Sequence, residues 1–140
     1  MPPLGESLLA DPHNKIIHFP IVLTMGAAVL LILARRRSEL EPVAFWTVWG
    51  AALATLAAYF SGVFQAGEFE GKPKEWLVDL HRNVGIATGV AEAAWVLLLL
   101  RPATRRWAWL WGLLVTALVA GAAFLGGVVA HGHSAPVAGS

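Results

Sequence analysis

WAWLWGLLVTALVAGAAFLGGVVA, Trp107–Ala130, runs for 24 residues without an acidic or basic side chain. At 1.5 Å of rise per residue a helix of that length spans about 36 Å, more than the ~30 Å of hydrocarbon in a bilayer. Three further apolar runs precede it, at about 16–34, 43–64 and 82–100. They lack the alternation of a barrel strand, and a run apolar on all sides satisfies its backbone in lipid only as a helix. The sequence therefore predicts an all-α integral membrane protein, a four-helix up-down-up-down bundle forming one transmembrane domain over 1–140. Pro42 is expected to open the second helix. The third should open at Pro73, within an outer loop at 65–81, and run inward through Trp76 and His81.

Composition agrees. Hydrophobic residues make up 57% of the chain and charged ones 14%, against roughly 45–50% and 25% in a soluble domain. A net charge of +1 spread between apolar runs supplies no basic face, which argues against nucleic acid as a partner. With no cysteine there is no disulfide, thiolate-bound zinc, iron–sulfur cluster or cysteine nucleophile, and the redox compartment stays open. Met1–Lys15 has no basic segment ahead of an apolar one and reads as an extramembrane tail, not a cleaved signal.

Basic residues orient the bundle. Arg35, Arg36 and Arg37 follow the first span and Arg101, Arg105 and Arg106 the third, while the other face carries Lys15, Lys72, Lys74 and Arg82. Arginines inside place both termini on the outer, periplasmic side of a bacterial inner membrane. Trp46, Trp49, Trp107, Trp109 and Trp111 gather at the inner ends of the second and fourth spans, as an interfacial aromatic belt does. Small residues at four-residue spacing, Gly50, Ala54, Ala58 and Gly62, then Gly85, Gly89 and Ala93, mark faces for close helix packing.

His13, His18, His81, His131 and His133 all fall at the outer ends of the spans. His18 and His81 belong to the first and third helices, diagonal in a sequential bundle, where a haem between them would take two axial imidazoles. Gly26, Gly85, Gly126 and Gly127 lie where a macrocycle would need room. His13 and His18 are five residues apart, about 140° around a continuous helix, so they share a site only if the segment after Pro12 is not helical. The plain alternative is five half-wet interfacial histidines.

Glu92 lies eleven residues beyond His81, about 16 Å deeper, near the bilayer centre. His81, Gly85, Thr88 and Glu92 share one helix face. A carboxyl at that depth is expected to keep its proton and donate a hydrogen bond, with Thr24, Thr55 and Thr116 as candidate partners from the other spans. It serves either a structural polar network or a proton path.

Beyond these readings, the chain resembles a family of small bacterial four-helix membrane proteins, domain of unknown function 2231. The resemblance rests on His13-Asn14-Lys15-Ile16-Ile17-His18-Phe19-Pro20-Ile21, then His81-Arg82, then Gly126-Gly127 with His131-Gly132. Asn14 stands where that family has proline, and His133 is an addition. The family's outline is similar to membrane cytochromes that hold haem b.

Three functions follow as expectations. The first is an electron-transfer subunit with one haem b near the outer face, held by His18 and His81, with His131 as alternate or supporting ligand and Gly85 making room. No histidine lies at the inner end to hold a second haem; Met25, seven residues from His18 on the same face, is a remote ligand candidate. The second is a zinc, copper or iron site of His13, His18, His81 and His131, with Glu68, Glu70 or Asp79 in reach; it differs from the first in needing His13. The third is a structural or assembly subunit of a larger membrane complex. Expected partners are the bilayer and other redox or membrane-complex subunits. Stand-alone enzyme chemistry is not indicated, since no serine–histidine–acid set, phosphate loop or zincin helix is present.

Overall fold

The computed structural model describes residues 12–66, 71 and 75–131. They form α1 (Pro12–Ile16), α2 (His18–Ala34), α3 (Glu41–Ala66), α4 (Glu75–Leu100), α5 (Pro102–Arg105) and α6 (Ala108–His131), with a 3₁₀ turn at Ser38–Leu40. No strand occurs among the described residues. Helix α4 begins at Glu75, before the span expected from 82 and within the outer loop, as expected of a helix that opens near Pro73; Pro73 itself lies outside the described residues.

Three helices, α3, α4 and α6, are long and apolar enough to cross a membrane, and α2 is a shorter apolar helix of 17 residues. The interruption between α1 and α2 has a local cause. Pro20 has no N–H to give the Ile16 carbonyl, so the hydrogen-bond ladder breaks there. Ile17 nevertheless keeps helical angles (φ −61°, ψ −21°), and its N–H donates to the His13 carbonyl at 3.0 Å. The path stays helical from Pro12 onward.

Helix α2 packs on α3 and α6, and α4 packs on the same two. Cross-contacts give the directions. His13 meets Ser61 and Leu23 meets Gly50, so the α1–α2 path and α3 run antiparallel. His81 bonds Ala122 while Trp95 bonds Ala108, so α4 and α6 are antiparallel as well. Both His13–His81 and Thr24–Glu92 are separated by 68 residues, and equal offsets mean that the first path and α4 run parallel. The arginine-bearing connections therefore share one end, where Arg35 stacks 4.4 Å over the Trp109 ring.

Large apolar side chains point outward on every long helix: Val22 is 68% exposed, Leu53 61%, Val90 66% and Phe124 72%. In water that surface would be a liability; in lipid it is solvated. The chain is a multi-pass membrane protein. Its interior is built mainly of small residues, and its largest buried side chain is Trp95, whose Nε1 donates to the Ala108 carbonyl at 2.8 Å.

Gly112 makes room for that indole, since a Cβ there would sit 2.5 Å from Trp95 Cζ2. Gly112→Ala should lower stability by about 1–3 kcal/mol despite alanine's better helix propensity. Gly121→Ala, whose new methyl meets nothing within 4 Å, should not. Thermal unfolding of both variants in detergent checks the contrast.

A candidate functional site along the helix α4 face

Glu92 is completely buried, and Thr24 Oγ1 donates to its Oε1 at 2.7 Å. Thr55 lies beside the same carboxyl and is 8% exposed. Thr55 Oγ1 and Glu92 Oε2 are both buried without a hydrogen-bond partner. Small neighbours permit this convergence: a Cβ at Gly89 would lie 3.9 Å from Thr55 Cγ2. Thr116, the other threonine expected near the carboxyl, donates instead to the Gly112 carbonyl of its own helix at 2.8 Å. Thr88 does the same toward Val84. Such back-bonding is the default for a helical threonine, so the exception at Thr24 marks a specific interhelical contact.

At the other end of this helix face, His81 Nδ1 lies 3.0 Å from the Ala122 carbonyl. A carbonyl only accepts, so Nδ1 carries a proton. His13 Nδ1 lies 2.8 Å from Ser61 Oγ, and Ser61 gives its one hydroxyl proton to the Ala58 carbonyl. The serine oxygen must therefore accept from His13 Nδ1–H. Both rings are thus oriented through Nδ1, which makes Nε2 the chemically distinctive nitrogen of each when neutral. The ring centroids are 6.4 Å apart with planes at 79°.

The continuous helical path explains which histidine enters the bundle. Five residues on such a path turn about 140°. His13 is half-buried and meets His81, whereas His18 is exposed on a different side. The pairing of His18 with His81 that the haem expectation uses is not the one the structure makes. Met25 is also exposed. Gly126, expected to leave space for a macrocycle, receives the His81 ring, with 3.1 Å from a built Cβ to Cε1; Gly62 receives His13 at 2.9 Å. A Cβ at Gly85, one turn below His81, would meet no heavy atom within 4 Å.

The side chain of His131, all of His133, and Glu68 and Glu70 lie outside the described residues. Asp79 pairs with Arg82 at 2.9 Å. Among the described residues no three potential ligands group around one point. Sequence reasoning missed Ser61 and the Ala122 carbonyl. Ser61 had one signal, a hydroxyl beside Gly62 at the outer end of the small-residue stripe; a backbone acceptor has none.

Residues 6–139 match the family described as protein of unknown function DUF998. The chain belongs to that family. The assignment replaces the resemblance to domain of unknown function 2231, which rested on short histidine and glycine segments, whereas the matching model runs through nearly every residue. No curated protein and no solved structure matches the chain.

Thr24→Val should remove the one bond across the bundle to Glu92 and cost about 1–2 kcal/mol. Thr116→Val, which loses only a bond within its own helix, should change stability by less than about 0.5 kcal/mol. Equilibrium unfolding in detergent separates the two.

Proposed function

We propose that this is a proton-binding subunit of a cytoplasmic membrane, in which Glu92 takes up and releases a proton reached from the histidine end. In this reading the chain crosses four times, with the arginine connections inside and both termini outside. The observation that carries it is the setting of Glu92, a fully buried carboxyl with one oxygen bonded by Thr24, the other without a partner, and the buried Thr55 hydroxyl beside the group. A hydroxyl serves either protonation state, donating to a carboxylate and accepting from a carboxylic acid. A small rotation of Thr55 answers each change without moving a helix.

Access is one-sided. Toward the arginine end, Trp95, Val96 and Leu99 of α4, Ala27 and Ala28 of α2 and Val48 of α3 form a buried apolar cluster. Toward the other end the α4 face carries Thr88, the unfilled position at Gly85, and His81 beside His13. Imidazoles accept and release protons through their ring nitrogens, and a pair of them at that end is suited to pass protons to a buried acid.

In reconstituted membranes a pH step should change a carboxyl C=O infrared band reversibly, and Glu92→Gln should abolish it. A wild-type protein without such a band, or a band that survives Glu92→Gln, sinks the reading. Trp95→Ala should open the apolar seal and raise proton leak through vesicles, and the leak should disappear in the Trp95→Ala, Glu92→Gln double variant.

A second reading is favoured by the His13–His81 contact. Two imidazoles around one ion, each about 2.0–2.1 Å from it through nitrogen, bring their ring centres to roughly 5–6.5 Å, and a tied Nδ1 is the usual posture of a ligating histidine. Zinc, copper, iron or the iron of a haem b would then sit on His13 and His81. Metal analysis and visible spectra of purified protein test this: a bound metal or Soret band should vanish in both His13→Ala and His81→Ala, and a site surviving both refutes it.

A further inference from the structure

At the end opposite the histidines, a cavity of about 950 Å³ opens among α2, α3, α5 and the start of α6. Its charged lining consists of Arg35, Arg36, Arg105, Arg106 and a single carboxylate, Glu41. That leaves an excess of three positive charges around one space. Glu41 is engaged by Arg105 at 3.6 Å, and Arg105 Nε also donates to the Leu99 carbonyl at 3.2 Å. Among the described residues no carboxylate pairs with Arg35, Arg36 or Arg106.

Indoles hold two of these cations in place. Arg35 lies 4.4 Å over the ring of Trp109, and Arg106 lies 5.3 Å from the ring centre of Trp107. A guanidinium stacked by its face keeps its in-plane N–H donors for an anion, and that fork matches phosphate oxygens. The same cavity is walled by apolar groups, among them Leu31, Phe45 and Trp46, and Trp46 is 70% exposed beside it. A ligand fitting both linings has a compact anionic head and a hydrocarbon part continuing into the surrounding lipid.

We infer that this cavity binds the phosphate headgroup of an anionic phospholipid, with Arg36 and Arg106 on the phosphate and the acyl chains along the Phe45–Trp46 wall. Phosphate without a tail satisfies only half of the lining. A zwitterionic lipid carries its own cation into a cavity already positive. The site is independent of Glu92 and of the histidine pair, so its failure leaves the proton reading untouched.

The test uses the full chain in nanodiscs of phosphatidylcholine with graded phosphatidylglycerol, followed by native mass spectrometry of the lipids retained. Phosphatidylglycerol should be kept in preference to phosphatidylcholine. Arg36→Gln and Arg106→Gln should each weaken that preference roughly fivefold, the loss expected for one basic contact to an anionic headgroup. Arg82→Gln, at the histidine end, should leave it unchanged, and thermal unfolding should show all three variants folded. Inorganic phosphate at millimolar concentration should not displace the lipid. Equal retention of both lipids, full retention in the Arg36→Gln, Arg106→Gln double variant, or displacement by phosphate alone each overturns the proposal.

Discussion

Hydrocarbon offers a polar group nothing to bond with, so a carboxyl at the centre of an apolar bundle depends on what neighbouring helices bring to it. The bond from Thr24 to Glu92 is that contact, and it constrains far more than two side chains. Together with the His13–His81 contact, which has the same offset of 68 residues, it makes the first helical path run parallel to α4. Parallel diagonal helices in turn require α3 and α6 to run the other way between them. The buried carboxyl contact thus acts with the ring hydrogen bonds of His13, His81 and Trp95 to set the register of a bundle whose lipid-facing surface is apolar.

The two halves of the bundle differ because they answer to different surroundings. On the arginine side of Glu92 a buried apolar cluster, with Trp95 as its largest piece, lies between the carboxyl and the arginine-lined cavity. On the histidine side, polar atoms bond one another across helices through Ser61 and the Ala122 carbonyl. The arginines add a third environment, cations braced by indoles at the rim. The indoles on the arginine side bond across helices too, Trp95 to the Ala108 carbonyl and Trp111 to the Ala91 carbonyl.

How much of this was legible beforehand depends on the physics involved. The apolar helices were plain in the sequence, because lipid selects on average hydrophobicity over some twenty residues and that average survives any detail of packing. Glu92 was equally plain, as a carboxyl inside an apolar run. Its partners are half legible: spacing points to Thr24, Thr55 and Thr116 alike, but which threonine turns toward a neighbour and which bonds its own helix depends on rotation about axes that composition does not record. The histidines were harder still. His18 sits in the more conspicuous motif, yet the helix is continuous from Pro12, and five residues of turn carry His13 inward and leave His18 outside. The family assignment failed for a related reason, since a few motif residues carried weight that belongs to the pattern of the whole chain.

Three glycines, one of them in a small-residue stripe, have a use other than backbone approach. Regular spacing of glycine and alanine in a membrane helix ordinarily signals close approach of two backbones. Here three glycines hold rings instead: Gly62 takes His13, Gly126 takes His81 and Gly112 takes Trp95. Each ring comes from a different helix than the glycine that receives it, and each is tied by a hydrogen bond through a ring nitrogen. Each ring occupies the space that a side chain at its glycine would take. The bundle therefore seats its histidine pair and its buried indole by the same device.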